Sequence, residues 1–503
     1  MGQTIQLSLV SHTNVGKTTL ARTLLGRDVG RVRDEPHVTE SADSHPMVQT
    51  AEGDVLLLWD TPGFGDSTRL AKRLAQAENP LGWFLSEVWD RYRDRAFWSS
   101  QQAVRNVRES ADIVLYLVNA AEDPADAGYV APEIRILQWI GKPVVVLLNQ
   151  LGRPRPAAEE AADVARWREH LATATCVRAV LPLDAFARCW VQEGLLLSEL
   201  ASAMPADRRE AFERLRAQWL AQRTSVFDAS IAELARRMER AATDREPLTD
   251  TGWSDKLREL GAALGIRRDA RSGPREVAMS RLAERLDADI RASTDRLIAL
   301  HGLGGHAGAQ ILERLAEHYA VRERLSEGKA ATIGGIVTGA LAGLKADLAT
   351  GGLTFGAGLL AGGVLGALGA AGLARGYNLV RGAGVSSVTW TDEVLDQLAS
   401  SALLSYLAVA HYGRGRGDWA ESEYPAHWQD RVAEVLSQYG DALHSVWSDR
   451  GDSAAATGIR ERLHEILSSA AWDVLDRLYP GAASRLGLSA PAWNNPAGSD
   501  VLD

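Results

Sequence analysis

Short runs of apolar residues recur through the first part of the chain, up to about residue 195, and polar segments separate them. Apolar runs with few polar interruptions predict strands that are covered on both faces of a parallel sheet. The intervening segments, such as 158–173, have a helical composition. The alternation therefore predicts an α/β domain with a mostly parallel sheet and helices on both faces. The predicted strands are residues 4–10, 55–60, 113–119, 143–149 and 176–182.

The apolar spacing changes to a helical period after about residue 196, and helices are predicted from there to residue 328. Apolar residues at intervals of three and four share one helix face. Residues 377–503 are predicted to be helical as well, with a disordered tail after residue 488. The apolar stripes are Phe227, Ile231, Leu234 and Met238; Val432, Leu436, Tyr439, Leu443 and Val446; and Leu463, Ile466, Ala470, Val474 and Leu478.

A Gly- and Ala-rich apolar segment separates the two helical regions, and only Lys345 and Asp347 interrupt residues 330–374 near their middle. Its glycines recur at every fourth position, a spacing that lets two helices approach closely in a membrane. The uncharged run 348–374 would measure about 40 Å as a helix, more than the roughly 30 Å of a bilayer core. The segment therefore predicts a hydrophobic hairpin in contact with a membrane, and a tightly packed soluble hairpin is the alternative.

The chain thus divides into an α/β domain (1–195), a helical domain (196–328), the hydrophobic hairpin (329–376) and a C-terminal helical domain (377–503). A net charge of −10 disfavours nucleic acid as a partner. The two cysteines form no Cys-x-x-Cys pair, which argues against a zinc site and a disulfide framework. The N-terminus has no basic and apolar leader, so we expect a cytoplasmic protein that the hairpin brings to the inner membrane.

The first predicted strand runs directly into a phosphate-binding loop at residues 11–18, in which Ser11 stands where the first glycine is usual. This loop needs a tight turn that points backbone N–H groups at phosphate oxygens. It also needs a lysine that reaches the β- and γ-phosphates and a hydroxyl that holds Mg²⁺. The positive end of the following helix faces the same anion. The expected nucleotide contacts are Ser11, His12, Thr13, Asn14, Val15, Gly16, Lys17, Thr18 and Thr19.

A second motif, Asp60-Thr61-Pro62-Gly63, ends the apolar strand 55–60. An aspartate at such a strand end binds the magnesium water shell, and the backbone N–H of Gly63 senses the γ-phosphate. The separation of about forty-five residues from the loop leaves room for a switch segment between them, as GTPases have.

The two motifs, followed by Phe64, resemble the Era-like branch of the translation-factor-related GTPases over residues 1–195. The remainder resembles a helical region of a bacterial family of Era-like GTPases. The resemblance implies that Lys17 binds the β- and γ-phosphates, and that Thr18 and a switch threonine ligate Mg²⁺ beside Asp60. Thr39 is the expected switch threonine, with Ser41 and Ser44 as alternatives.

The resemblance also bears on catalysis, for which we expect Lys17, Thr39 and Asn14 to matter most. Asn14 matches an asparagine that in some Era-like enzymes helps to bind K⁺, and the cation does the work of an arginine finger. Phe64 stands where other GTPases carry a water-orienting glutamine. Intrinsic turnover is therefore expected to be slow and to need a cation, a protein partner or a second copy of the chain.

The guanine-reading motif of the family, Asn-Lys-x-Asp, reads Asn149-Gln150-Leu151-Gly152 here, so its carboxylate is missing. Specificity for a base depends on paired hydrogen bonds, and the loss of one weakens discrimination. Asp184 follows the last predicted strand and is our candidate replacement, with a helix N-cap as the alternative. Asn149, Asp184 and Ala185 complete the predicted nucleotide contacts.

These patterns predict a membrane-associated protein that binds GTP and GDP and hydrolyses GTP slowly with Mg²⁺ as a conformational switch. A protein partner or self-association fits a switch of this kind. Two alternatives remain, a membrane scaffold that binds nucleotide without turnover and an ATPase, because the phosphate loop is indifferent to the base.

Overall fold

The computed structural model places the chain in two compact units. The first unit takes its residues from Met1–Ser225, His411–Glu421 and Ser484–Gly487, and the second from Val226–Ala410 and Ser422–Ala483. The residues that the structure describes are 2–26, 29, 42–76, 95–149, 157–183, 189–248, 274–303, 377–381, 386–411, 426–450 and 458–488.

A six-stranded sheet forms the centre of the first unit, in the order β2-β3-β1-β4-β5-β6. Every pairing is parallel except that between β2 and β3, which is antiparallel. The carboxyl ends of β1, β3, β4 and β5 therefore meet at one edge of the sheet. The strands are β1 (Thr4–Ser11), β2 (Asp43–Gln49), β3 (Val55–Asp60), β4 (Ile113–Asn119), β5 (Val144–Asn149) and β6 (Val177–Pro182).

Helices cover the sheet, as predicted for this α/β class. Strands β4 and β5 are almost completely buried, and a core that includes Phe64, Tyr116 and Trp167 packs against them. The helices whose described parts lie in this unit are α1 (Lys17–Leu25), α2 (Ser67–Leu74), α3 (Arg95–Glu109), α4 (Val130–Ile140), α5 (Ala157–His170), α6 (Trp190–Ala203) and the first part of α7 (Ala206–Thr243).

Strand β2 was not predicted, because its sequence lacks the apolar pattern of the other five strands. It lies at the edge of the sheet, and Val48 is its only buried residue. The register against β3 shifts between Pro46 and Val48, which also breaks any simple alternation. An edge strand with one buried side chain gives too weak a periodic signal for prediction.

The first part of α7 is anchored at the amino ends of the strands. Arg214 Nε lies 2.7 Å from Asp54 Oδ2, and Gln3 donates its backbone N–H to Asp54 Oδ1 at 2.7 Å. Arg208 donates to the Thr4 carbonyl at 3.3 Å. Asp54 is completely buried. Its pKa is lowered most by the hydrogen bond from Arg214 and next by the hydrogen bond from Gln3. This end of the sheet is opposite to the phosphate loop.

Replacing Arg214 by alanine is expected to lower the melting temperature at pH 7 by a few degrees, because a buried carboxylate loses a charged partner. The pKa of Asp54 in the folded protein lies below the unfolded value of about 3.9. The ion pair with Arg214 therefore stabilises the protein fully above about pH 3.9, and this stabilisation is lost as the pH falls below that value. Thermal melts between pH 7 and pH 3 should show the difference from wild type shrinking at the acid end. Arg236→Ala removes an exposed ion pair of the same helix and should change little.

The second unit is mainly helical, and its three predicted apolar stripes are largely buried. Phe227, Ile231, Leu234 and Met238 are at most 1% exposed. The stripe at 432–446 is divided between two helices, Ala426–Gln438 and Gly440–Asp449. The described elements after the start of α7 are β7 (Glu246–Pro247), α8 (Pro274–Leu300), β8 (Tyr377–Arg381), β9 (Ser386–Trp390), α9 (Asp392–Ala410), α10 (Ala426–Gln438), α11 (Gly440–Asp449), α12 (Ile459–Leu478) and α13 (Ala482–Leu486).

A small antiparallel sheet, in the order β7-β9-β8, departs from the prediction of helices alone. Its strands are only two to five residues long, and β7 consists of two residues that pair with Val388 and Ser387. Two residues are too few for alternation to show in β7, and β9 buries Val388, Thr389 and Trp390 in succession, so it does not alternate either. The sequence did contain a signal for a hairpin between β8 and β9: glycines at 382 and 384 lie between two runs that contain β-branched residues.

Across the described ranges, the helices are each too short or too polar to cross a bilayer. The predicted hairpin (329–376) and the predicted disordered tail lie outside the described residues.

Candidate functional site

The phosphate loop connects β1 to α1 at the carboxyl edge of the sheet. Its turn uses two left-handed backbone conformations, Asn14 with φ 65° and Gly16 with φ 94°. Asparagine is among the few side-chain-bearing residues that tolerate this region, and glycine adopts it without strain. A Cβ at Gly16 would also lie 2.8 Å from Asn149 Nδ2. The shape of the loop therefore requires glycine at position 16 and is compatible with asparagine at position 14.

Lys17 opens α1 and is almost completely buried, with 7% of its surface exposed. Its Nζ donates to Ser11 Oγ at 2.9 Å and lies 3.5 Å from the His12 carbonyl. Burial lowers the pKa of Lys17 to about 8, and the carboxylates of Asp60 and Glu133 oppose that shift. Ser11, in place of the usual glycine, thus supplies a hydroxyl that accepts from the loop lysine.

Thr18 and Asp60 meet beside Lys17. Thr18 Oγ1 donates to Asp60 Oδ2 at 2.7 Å, while Asp60 Oδ1 is buried and has no hydrogen-bond partner among the described residues. Burial raises the pKa of Asp60, against the hydrogen bond from Thr18 and the charge of Lys17. A hydroxyl and a carboxylate with an unused oxygen form the hard oxygen donor set that Mg²⁺ prefers. These two residues fit a magnesium site.

The segment after Asp60 lies directly against the loop. A Cβ at Gly63 would be 3.0 Å from Thr13 Cα and 3.1 Å from Lys17 Nζ, so this close approach depends on glycine. Phe64 donates its N–H to the Ser11 carbonyl at 2.9 Å, and Thr13 donates its N–H to the Phe64 carbonyl at 3.2 Å. The Phe64 side chain is fully buried in the core, which keeps it out of the nucleotide site.

Asn149 ends β5 and is fully buried. Its Nδ2 donates to the Val15 carbonyl at 2.7 Å, so the side chain supports the loop from behind. The sequence predicted Asn149 as a nucleotide contact, and the structure adds this hydrogen bond to the loop backbone.

Three residues behind the loop, Glu133, Tyr129 and Tyr116, were not predicted, and they contact each other or His12, which was predicted as a nucleotide contact. His12 Nδ1 lies 2.7 Å from Oε1 of the completely buried Glu133, and the His12 ring stacks on Tyr129 at 4.7 Å between centroids. Tyr116 Oη donates to Glu133 Oε2 at 2.8 Å. The available signal was the position of Glu133 on the apolar face of α4, three residues after Val130 and four before Leu137, because buried charges need partners.

The structure brings together most of the residues predicted to form the site. The loop residues 11–19, Asp60, Gly63 and Asn149 lie at one edge of the sheet. Ser44, an alternative switch residue, is exposed on β2 opposite Trp59. The other predicted site residues lie outside the described residues: Thr39, Ser41, Gln150, Leu151, Gly152, Asp184 and Ala185.

Two family models match the chain. Residues 6–150 match a model described as 50S ribosome-binding GTPase, and residues 168–468 match one described as domain of unknown function DUF3482. The first therefore covers most of β1, strands β2 to β5 and the described site residues, and the second covers β6 and most of the helical region.

Curated relatives match part of the chain. GTPase Der of Myxococcus xanthus is 30% identical over 152 residues, which is 29% of this chain and 26% of that protein. GTPase Era of Lactobacillus delbrueckii subsp. bulgaricus is 24% identical over 265 residues, 52% of this chain and 74% of that protein. The chain thus spans about a quarter of the length of the Der proteins that it matches.

A solved structure of Era in complex with MgGDPNP and a 16S ribosomal RNA segment is also similar. It is 17% identical, covers 41% of this chain and 58% of that one, and has a TM-score of 0.30.

Proposed function

Because the chain belongs to the DUF3482 family and carries a GTPase domain of the Era and Der type ahead of that region, we propose that it is a Mg²⁺-dependent GTPase that acts as a conformational switch. The observation that best supports this proposal is the meeting of Lys17, Thr18 and Asp60 at the end of the phosphate loop. Together they offer a cation for phosphate and an oxygen pair for a metal.

In the proposed reaction, water attacks the γ-phosphorus, the bond to the β–γ bridging oxygen breaks, and GDP and inorganic phosphate leave. The backbone N–H groups of the loop bind phosphate oxygens, and Lys17 neutralises the charge on the β- and γ-phosphates. Thr18 and Asp60 would hold Mg²⁺, which supplies further charge neutralisation. Gly63 lies against Lys17, and its backbone N–H would respond to a γ-phosphate. Catalysis of this type comes from positioning and electrostatics.

We infer slow intrinsic turnover from the environment of Phe64. Its side chain is fixed in the core and has no group that could orient water. A K⁺ ion beside Asn14 is proposed as the group that compensates, with Thr39 as the switch ligand of Mg²⁺ and with Asp184 and Ala185 beside the base. A protein partner or a second copy of the chain is the other proposed source of the missing group.

Nucleotide affinity is expected to fall at alkaline pH, because burial lowers the pKa of Lys17 to about 8. Bound phosphates favour the charged ammonium, so binding above this pH takes up a proton. The affinity for GTP should be about tenfold weaker at pH 9 than at pH 7, where Lys17 is largely protonated. Titration of a fluorescent GTP analogue at both pH values checks this expectation. Equal affinities would contradict it.

We further propose that the segment 330–374 contacts the cytoplasmic face of the inner membrane and that nucleotide state alters this contact. The support is the sequence pattern of that segment. Fractionation of the full chain against a deletion of 330–374 tests it. The proposal fails if both proteins stay in the supernatant.

The decisive experiment for the function is phosphate release from GTP and ATP by the purified full chain, with Mg²⁺ or EDTA and with K⁺ or Na⁺. Release that needs GTP and Mg²⁺ supports the proposal, and stimulation by K⁺ supports the role of Asn14. Tight GTP binding without release would favour a nucleotide-binding scaffold, and equal use of ATP would identify an NTPase without base preference. Either result would overturn the proposed GTPase switch.

A further inference from the structure

Glu133 is a buried carboxylate behind the phosphate loop, and both of its oxygens are hydrogen-bonded. His12 Nδ1 lies 2.7 Å from Oε1, and Tyr116 donates to Oε2 at 2.8 Å. The Ser67 side chain also hydrogen-bonds the carboxylate. Burying such a group is costly unless its partners are fixed, so these contacts hold three separate elements in place.

The contact with His12 reaches the phosphate loop itself. His12 lies between Ser11 and Thr13, and its carbonyl oxygen is 3.5 Å from Lys17 Nζ. Stacking on Tyr129, with an interplanar angle of 21°, further restricts the His12 ring. Glu133 holds the edge of the His12 ring and Tyr129 holds its face. The position of the His12 carbonyl, which faces Lys17, therefore depends on the contact between His12 and Glu133.

The contact with Ser67 reaches the segment that follows Asp60. Ser67 is the first residue of α2 and only 2% exposed. The chain between Gly63 and Ser67 includes Phe64, whose backbone is paired with Ser11 and Thr13. One carboxylate therefore touches the loop on one side and the start of α2 on the other.

We propose that Glu133 is a positioning residue of the nucleotide site, which through His12 holds the phosphate loop against Lys17 and through Ser67 couples that loop to α2. The inference rests on the proposed GTPase function. It adds a physical link between the phosphate loop and the segment from Asp60 to α2, which would respond to the γ-phosphate. Glu133 acts through its neighbours and does not touch the nucleotide.

A double-mutant cycle tests this role. His12→Ala and Glu133→Gln are each expected to lower kcat/KM for GTP about tenfold. The double variant is expected to lower it no further, because each single variant already removes the same contact between His12 and Glu133. His12→Asn keeps a donor close to the position of Nδ1 and should restore most of the activity. Glu109→Gln, an exposed glutamate of α3, is the matched control.

Equilibrium binding of a fluorescent GTP analogue and thermal melts accompany the kinetics. A purely structural role would lower the melting temperature without the selective rescue by His12→Asn. If Glu133→Gln does not fold, His12→Ala and His12→Asn still decide, since His12 is about one-third exposed.

Additive effects, or single variants within twofold of wild type, overturn this inference alone when the wild-type protein hydrolyses GTP. A wild-type protein that neither binds nor hydrolyses GTP overturns the proposed function, and this inference with it.

Discussion

Replacement of Lys17 by alanine is expected to lower GTP affinity at least about 100-fold and to abolish measurable phosphate release. Lys17 is almost completely buried, and its ammonium group donates to Ser11 Oγ at 2.9 Å. The substitution leaves the negative charge of the phosphates without its nearest cation in a site of low dielectric, where such interactions are strongest. Titration with a fluorescent GTP analogue and a phosphate-release assay measure the two effects.

Lys142→Ala provides the matched control for this prediction. Lys142 lies just before β5, at the end of the sheet opposite to the loop, and its replacement should leave affinity and turnover unchanged. Retention of wild-type GTP affinity by Lys17→Ala would show that the loop does not bind the phosphates, and would overturn the proposed function.

The second large effect is expected for Asp60→Asn, which should lower turnover at least about 100-fold and weaken the dependence of nucleotide retention on Mg²⁺. The carboxylate lies 2.7 Å from the Thr18 hydroxyl and keeps its Oδ1 without a partner among the described residues. An amide supplies one weaker metal ligand in its place and no negative charge. GDP dissociation measured across a series of Mg²⁺ concentrations tests metal binding independently of hydrolysis.

Asp60→Asn is expected to preserve or raise the thermal stability of the protein although it lowers turnover. Burial raises the pKa of Asp60 in the folded protein above its unfolded value, so ionisation of the carboxylate destabilises the fold as the pH rises through that range. Asp60→Asn without nucleotide is therefore expected to melt no lower than wild type at pH 7. Asp207→Asn, an exposed aspartate at the start of α7, is the control. Unchanged Mg²⁺ dependence in Asp60→Asn would place the metal elsewhere.

The parallel strands of the first unit could be predicted from the sequence to within about one residue at each end. Strands β4 and β5 are buried on both faces, and continuous apolar runs such as Ile113–Asn119 identify this environment directly. Strand β2 could not be predicted, because Val48 is its one buried side chain. Strand β7 has only two residues and β9 buries three consecutive side chains, so neither gives a periodic signal.

The candidate site shows the same division. The loop and Asp60 could be predicted, because their chemistry lies in contiguous motifs whose spacing carries the signal. The role of Ser11 could not, since its hydroxyl matters only once Lys17 folds back over it. Glu133 was missed for a related reason: it contacts a loop residue 121 positions away, and no local pattern reports that distance.

The sequence by itself thus determined the layer architecture, the phosphate loop and the two residues proposed to hold the metal, because backbone turns and apolar periodicity are local properties of the chain. Only the tertiary structure decided which polar side chains meet behind the loop. A buried charge such as Glu133 is stable only with partners, and the sheet order, which places β4 beside β1 and α4 beside the loop, selects those partners from distant parts of the chain. The structure therefore adds to the predicted nucleotide site a connection from His12 through Glu133 to Ser67 that sequence patterns cannot carry.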